Sequence, residues 1–342
     1  MANIRDVAKR AGVSVATVSR VINGSPNVAP KTAQAVSAAM QELHFTPNGL
    51  ARGLALNRTK TIALLLPSIV NPLYAQMAKG VEDVAHSKGY NVLLCNTDEN
   101  VAKERSYVDM LLERRVDGLL LMTTRLERED FAKLSERALP FVIIGRNIET
   151  LDANMVYTDY VLGGYLATEH LVEAEYECIA HISGPLSQLE SREKLLGYQQ
   201  ALRQHRLAGD EQYVVAGDNE IEGGYLAAMK LLNMSPRPQA IFAANDLMAI
   251  GALDAAKTQN LRVPQDVAIV GFDDITMAAH VEPRLTTVAH PVHKMGLIAA
   301  RLLFDDIDSG TAEAFGQKIF IRPKLRVRNS CGHQSRLQQI FN

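Results

Sequence analysis

The chain has 342 residues, 47% of them hydrophobic and 22% charged, with a formal net charge of −2; this is more than one ordinary core needs, so two or three domains are expected. No apolar run reaches the roughly 18 residues of a membrane-spanning helix, and the opening MANIRDVAKR holds no apolar signal core, so the expected location is the cytoplasm, with no membrane partner. Cys95, Cys178 and Cys331 are scattered and form no CxxC pair, which argues against a metal site or a disulfide framework and for inert buried thiols.

The charge is unevenly spread. Residues 1–60 carry Arg5, Lys9, Arg10, Arg20, Lys31, Arg52, Arg58 and Lys60 against Asp6 and Glu42, a balance of +6 that leaves −8 for the remainder. A basic head on an acidic body points to a polyanion-binding module.

The head reads as helices. Residues 4–11 form a first candidate, Gly12 and Val13 a turn, and Ser14 an N-cap for a second helix over 15–22. NGSPNVAP (23–30) is a loop, and KTAQAVSAAMQELHF (31–45) a third helix with Ala35, Ala39 and Leu43 on one side. On the second helix Val18, Val21 and Ile22 face inward, while Ala16 and Arg20 lie opposite with Val15 at the N-terminal edge. Two short helices, a glycine turn and a small residue, Ala8, at their crossing make a helix-turn-helix, whose second helix enters the DNA major groove. Arg20 would reach guanine edges or phosphate, and Val15 and Ala16 thymine methyls. Thr17, Ser19 and the free N–H groups at the helix starts suit phosphates. TPNGLARGLALNRTK (46–60) favours helix except at Gly49 and Gly53, each costing about 1 kcal/mol relative to alanine. It reads as a linker that becomes helical when a partner stabilises it.

From residue 61 short apolar runs alternate with helical stretches: TIALLLPS, NVLLCNT, GLLLMTT, FVIIGRN, CIAHISG, AIFAAND and VAIVGFDD. This βα alternation predicts parallel sheets covered by helices, divided into two doubly wound lobes that meet at a cleft. Ligands of such sheets sit beyond the carboxyl ends of the strands. The polar strand endings are Ser68 with Asn71, Arg146 with Asn147, Asp159, Asn245 with Asp246, and Asp273 with Asp274. No GxGxxG, GxxxxGK[ST] or GxSxG stands in a suitable place, and His181 sits in an apolar run as a core residue would. Asp273 and Asp274 lack an accompanying nucleophile or metal-ligand cluster, so catalysis, a cofactor and a metal are not expected.

IRDVAKRAGVSVATVSRVINGSPNVAPKT, followed by LHFTPNGLARGL, resembles the start of the LacI/GalR family of bacterial transcription regulators. The likeness runs on through GVEDVAHSKGY, RRVDGLLLM, ISGPLSQLESREKLLGY, IFAANDLMAIGAL, VAIVGFDDI and PRLTTVAHP, nearly the whole chain. It implies a helix-turn-helix domain over 1–46, a hinge helix over 47–60, a type I periplasmic-binding-protein-like sensor over 61–330 and a short tail over 331–342. The first lobe would be about 61–160 and 290–320, the second about 161–289. The implied DNA contacts are Arg5, Ser14, Val15, Ala16, Thr17, Ser19, Arg20 and Asn23, with Asn48, Ala51 and Arg52 on the hinge and Leu54 as a minor-groove wedge. The implied effector contacts are Ser68, Asn71, Tyr74, Arg146, Gln188, Arg192, Asn219, Asn245, Asp273 and His290. Asn219 stands where relatives often place an aromatic, which disfavours a purine-like effector and favours a sugar, polyol or sugar acid. The resemblance further implies a repressor of a carbohydrate operon acting on double-stranded palindromic operator DNA. It implies a homodimer through 72–90 and 276–285, the tail being too short for a tetramerising heptad array.

Overall fold

The computed structural model describes residues 2–22, 27–45, 58–309 and 316–332. They fall into two compact units, Met1–Thr61 with Arg114–Asp117, and Ile62–Glu113 with Gly118–Asn342. Asn23, the hinge residues Asn48, Gly49, Ala51, Arg52, Gly53 and Leu54, and the last ten residues of the tail lie outside the described residues.

The head contains α1 (Ile4–Ala11), α2 (Val15–Ile22) and α3 (Pro30–Glu42). Asn3 caps α1: its Oδ1 accepts from the backbone N–H of Arg5 and Asp6, at 2.8 and 3.3 Å. The Asp6 carboxylate reciprocates by accepting from Asn3 N–H, closing a capping box. Gly12 ends α1 with φ 68°, the left-handed conformation that glycine adopts without Cβ strain. Ser14 Oγ accepts from Thr17 N–H at 3.1 Å and caps α2. Val7, Ala8, Val18, Val36 and Ala39 form the core, with Val21, Ile22, Met40 and Leu43 against it. Ala35 is exposed. The apolar face of α3 is therefore Val36, Ala39, Met40 and Leu43, one residue round the helix from the stripe expected.

The second unit holds two six-stranded sheets. The first contains β1 (Thr61–Leu66), β2 (Asn91–Asn96), β3 (Gly118–Met122), β4 (Phe141–Ile144), β5 (Asn154–Thr158) and β11 (Lys318–Ile321), ordered β2-β1-β3-β4-β5-β11. The second contains β6 (Ile179–Ser183), β7 (Val214–Ala216), β8 (Ala240–Ala243), β9 (Ala268–Asp273), β10 (Thr286–Ala289) and β12 (Lys324–Arg326), ordered β7-β6-β8-β9-β10-β12. Among the recorded pairings all are parallel except β10 with β12. The central strands β3 and β9 are buried along their whole length and β1 along all but Thr61, as sheets covered on both faces require.

Helices α4 (Pro72–Ser87) and the late α11 (Val292–Ser309) pack with the first sheet, α5 (Val101–Glu113) follows β2 in the chain, and Phe131 of α6 (Arg128–Glu136) stacks on Phe141 of β4. Helices α7 (Tyr160–Glu173), α8 (Leu189–Gln204), α9 (Ile221–Leu232) and α10 (Asp246–Thr258) pack with the second. The chain thus passes between lobes three times, after β5, after β10 and after β11. The third passage returns residues 324–332 to the second sheet. Glycine lets α7 and α8 meet backbone to backbone: a Cβ on Gly164 would overlap the Lys194 carbonyl, and one on Gly197 the Val161 carbonyl.

Candidate effector cleft and DNA-reading face

On the head, the second helix buries Val18 completely and presents Val15, 41% exposed, beside exposed Ala16 and Arg20. Thr17 and Ser19 are half-buried at its flank, and Arg5 is exposed on α1. Ser14 Oγ and Thr17 Oγ1 lie 2.9 Å apart, so both hydroxyls already serve the helix start. The two acids of the head are occupied within it, Asp6 in the capping box and Glu42 in a 2.7 Å pair with Arg10. Arg5 and Arg20 form no ion pair among the described residues. The face thus keeps its cations for a polyanion.

Within the second unit the carboxyl ends of both sheets contribute to one polar cleft. Its inner part, a cavity of about 290 Å³, is lined by Ser68, Asn71, Tyr74, Gln188, Asn219, Asn245, Asp273 and His290, together with Thr123, Tyr160, Ser191 and Lys194. An adjoining outer region of about 1070 Å³ holds Arg146 and Arg192. Both regions share Thr123, Gly145, Tyr160, Gln188 and Glu190.

Several of these polar groups also hold the fold. Asn71 Oδ1 caps α4 through Leu73 N–H at 2.9 Å, and Ser68 Oγ accepts from Val70 N–H at 3.3 Å. Asn245 Oδ1 caps α10 through Met248 N–H, and its Nδ2 donates to the Asn219 carbonyl, each at 2.8 Å. Asn219 has φ 72°, and its Nδ2 donates to Gln188 Oε1 at 2.9 Å. Gln188 Nε2 donates in turn to the Glu99 carboxylate in the loop that follows β2. The row Asn245–Asn219–Gln188–Glu99 therefore crosses from the second lobe to the first. Asp273 ends β9 with φ 115°, a strained conformation for a residue with a side chain, and faces His290 at 3.1 Å. Asp274 pairs with Arg328.

Arg146 donates to the Thr124 carbonyl at 3.1 Å, and exposed Arg192 to the Leu186 carbonyl at 2.7 Å. Neither reaches the inner cavity. The cation there is Lys194, only 7% exposed, whose Nζ donates to the Ala244 carbonyl at 2.8 Å. Burial pushes its ammonium down, and the carboxylates of Asp273, Glu190 and Asp246 oppose that shift. The sequence held a signal for it. Ser191, Lys194, Tyr198 and Ala201 recur at helical spacing and form the buried stripe of α8, whereas Arg192 lies off that stripe. Tyr74 and Tyr160 bring aromatic rings to the cavity, so the aromatic missing at Asn219 does not leave it without a stacking surface. Both hydroxyls are held well above the usual tyrosine range, first by burial and next, for each, by the charge of Glu190. His181 lies in the core, stacked on Phe242 and Tyr198, with Nδ1 2.9 Å from the Phe242 carbonyl oxygen. Burial lowers its pKa to about 3.

A helix-turn-helix with a basic reading face, followed in the chain by two lobes around a polar cleft, defines a ligand-responsive DNA-binding regulator. Residues 3–48 match the model of bacterial regulatory proteins of the lacI family, and residues 59–325 that of periplasmic binding proteins and the sugar binding domain of the LacI family. The chain belongs to the LacI family and is a DNA-binding transcriptional repressor, not an enzyme. The HTH-type transcriptional repressor PurR of Edwardsiella ictaluri is 39% identical over 332 residues, covering 96% of this chain and 97% of that one. The structure of a transcriptional regulator CelR–cellobiose complex is 35% identical, with a TM-score of 0.72 over 96% of this chain and all of that one. The Lac repressor dimer bound to operator and the anti-inducer ONPF is 28% identical, with a TM-score of 0.85 over 96% of this chain and 99% of that one. Among the described residues no helix is long and apolar enough to cross a membrane.

Proposed function

We propose that this repressor acts as a homodimer on a palindromic operator of a carbohydrate uptake or catabolism operon, with its affinity set by a small polyhydroxylated effector in the inner cavity. The observation that carries the effector class is Lys194 and Asp273 together at the meeting of the two sets of strand ends. An ammonium with free N–H groups and a carboxylate are the donor and acceptor that vicinal hydroxyls need. The related CelR structure, a complex with cellobiose, supports a sugar. A sugar acid fits less well, because carboxylates dominate the lining. Arg20, Val15 and Ala16 read bases, Arg5, Thr17 and Ser19 hold phosphates, and Asn23 with the hinge residues extends that contact.

Closure of the lobes around effector changes the hold of the paired heads on operator. By linkage, operator changes effector affinity by the same factor. Gln188 and Glu99 already bridge the lobes, so effector acts on this contact directly.

A flat aromatic effector is the second reading. It is favoured by Tyr74 and Tyr160 in the lining and by the 39% identity to a repressor named PurR. The deciding experiment is selection of genomic fragments at a stated salt concentration, then titration of the enriched operator with protein in the presence of sugars or nucleobases. A sugar-dependent change in operator affinity is expected. A change with nucleobases alone would overturn the carbohydrate reading, and no enriched palindrome under any condition would overturn the dimeric operator reading.

A further inference from the structure

The inner cavity carries an unbalanced charge. Its lining includes Asp98, Glu99, Glu190, Asp218, Glu220 and Asp273 against a single cation, Lys194. Three of these acids have cationic or imidazole partners: Asp98 has Lys103 at 2.5 Å, Glu99 has Arg125 at 3.2 Å, and Asp273 has His290 at 3.1 Å. Glu190, half-buried on the first turn of α8, accepts no hydrogen bond and forms no ion pair among the described residues. Its charge reaches its neighbours. Glu99 is held above the usual carboxylate range by burial, against Arg125, and the charge of Glu190 adds to the rise. Glu220 is also raised, by burial and then Asp218.

A second observation comes from the other end of the cavity. His290 is 3% exposed, and its Nδ1 has no hydrogen-bond partner. With Nε2–H donating to Asp273, that nitrogen presents a lone pair. Glu190 and His290 Nδ1 are therefore both acceptors without a partner among the described residues, as is the carboxylate of exposed Glu220 at the rim.

We propose that the effector is a cation, a polyhydroxylated molecule bearing a protonated amine, as an amino sugar does. This rests on the polyhydroxylated reading given above and adds the charge. The ammonium sits between Glu190 and Glu99, where charge-assisted hydrogen bonds offset its desolvation. The hydroxyls take Lys194, Asn71 and the Asp273–His290 pair.

The test is calorimetric titration of the full-length protein with matched triples: a hexosamine, its parent hexose and its uronic acid, in the gluco, galacto and manno series. Spermidine serves as a cation without hydroxyls. In at least one series the hexosamine is expected to bind about tenfold or more tightly than the hexose, and the uronate more weakly than both. Glu190→Gln is expected to weaken that hexosamine about tenfold and leave the hexose within about twofold. A hexose or uronate that binds as tightly as its hexosamine overturns the proposal, as does a hexosamine preference that survives Glu190→Gln unchanged. Binding of spermidine alone retains the charge and overturns the polyhydroxylated reading. Binding of none of these overturns both.

Discussion

The ammonium of Lys194 lies 4.1 Å from the centroid of the Phe272 ring and 5.3 Å from that of Tyr160. The two rings hold the charge by cation–π attraction, and Gly164 admits the Lys194 backbone close to α7. Lys194→Met keeps the volume of the stem and removes the donors. Unfolding stability is expected to change by less than about 1.5 kcal/mol, while effector affinity falls at least about tenfold and operator affinity without effector stays the same. Urea melts and paired titrations check this; an unchanged effector response would remove Lys194 from the site.

Gly164 itself gives a second prediction. A methyl group there would meet the carbonyl of Lys194, which is backbone and cannot swing aside. Gly164→Ala should cost about 1–3 kcal/mol, read as a lower denaturation midpoint, and should weaken effector binding as well by displacing Lys194. A variant as stable as wild type would show that α7 and α8 can separate freely.

On the head, Arg20→Ala should weaken operator binding by about 1–3 kcal/mol and relax the preference at one base pair per half-site. Arg5→Ala should weaken all sequences alike and flatten the salt dependence. Anisotropy with operator and scrambled duplexes at two salt concentrations separates the cases. If Arg20→Ala lowered both duplexes equally, its role would be to phosphate alone.

His181 predicts how stability varies with pH. Its folded pKa of about 3 lies below the ordinary histidine value of 6.5, so the unfolded chain binds the proton more readily. The stability linked to this depression is complete above the unfolded pKa and is lost as pH falls from 6.5 toward 3. Between pH 7 and 5 the loss from this group is about 2 kcal/mol. His181→Phe preserves the stacking on Phe242 and Tyr198, and should show a correspondingly smaller fall in chemical-denaturation stability over that interval. An identical pH dependence in both proteins would mean that His181 titrates normally.

Local chemistry made much of this legible in the sequence. The Ser14 cap, the Gly12 turn and the buried Val18 depend on neighbours within a few residues, and each stands where the sequence places it. The βα alternation carries its own periodicity, and the strand endings locate the cleft because the carboxyl ends of parallel strands share one edge. What the sequence obscured was decided by packing between distant elements. Ala35 and Val36 are both plausible inward residues on an alanine-rich helix, and contact with α1 and α2 selects Val36. The spacing within α8 marks Lys194 as an inward residue, but only the packing of distant elements brings it to the cavity and leaves Arg192 outside. Tyr160 reads as the start of a helix, and only the facing sheets make it part of the cavity wall.

The three passages of the chain between lobes also set the order in which the molecule can be made. The first sheet takes its edge strand β11 from residues 318–321, and α11, which packs against that sheet, also follows the entire second sheet apart from β12. A ribosome delivering the chain from its N-terminus therefore leaves the earlier lobe waiting on segments synthesised after most of the later one. A premature stop near residue 290 removes α11 and β11 from the first lobe and β12 from the second, so such a fragment lacks part of both lobes.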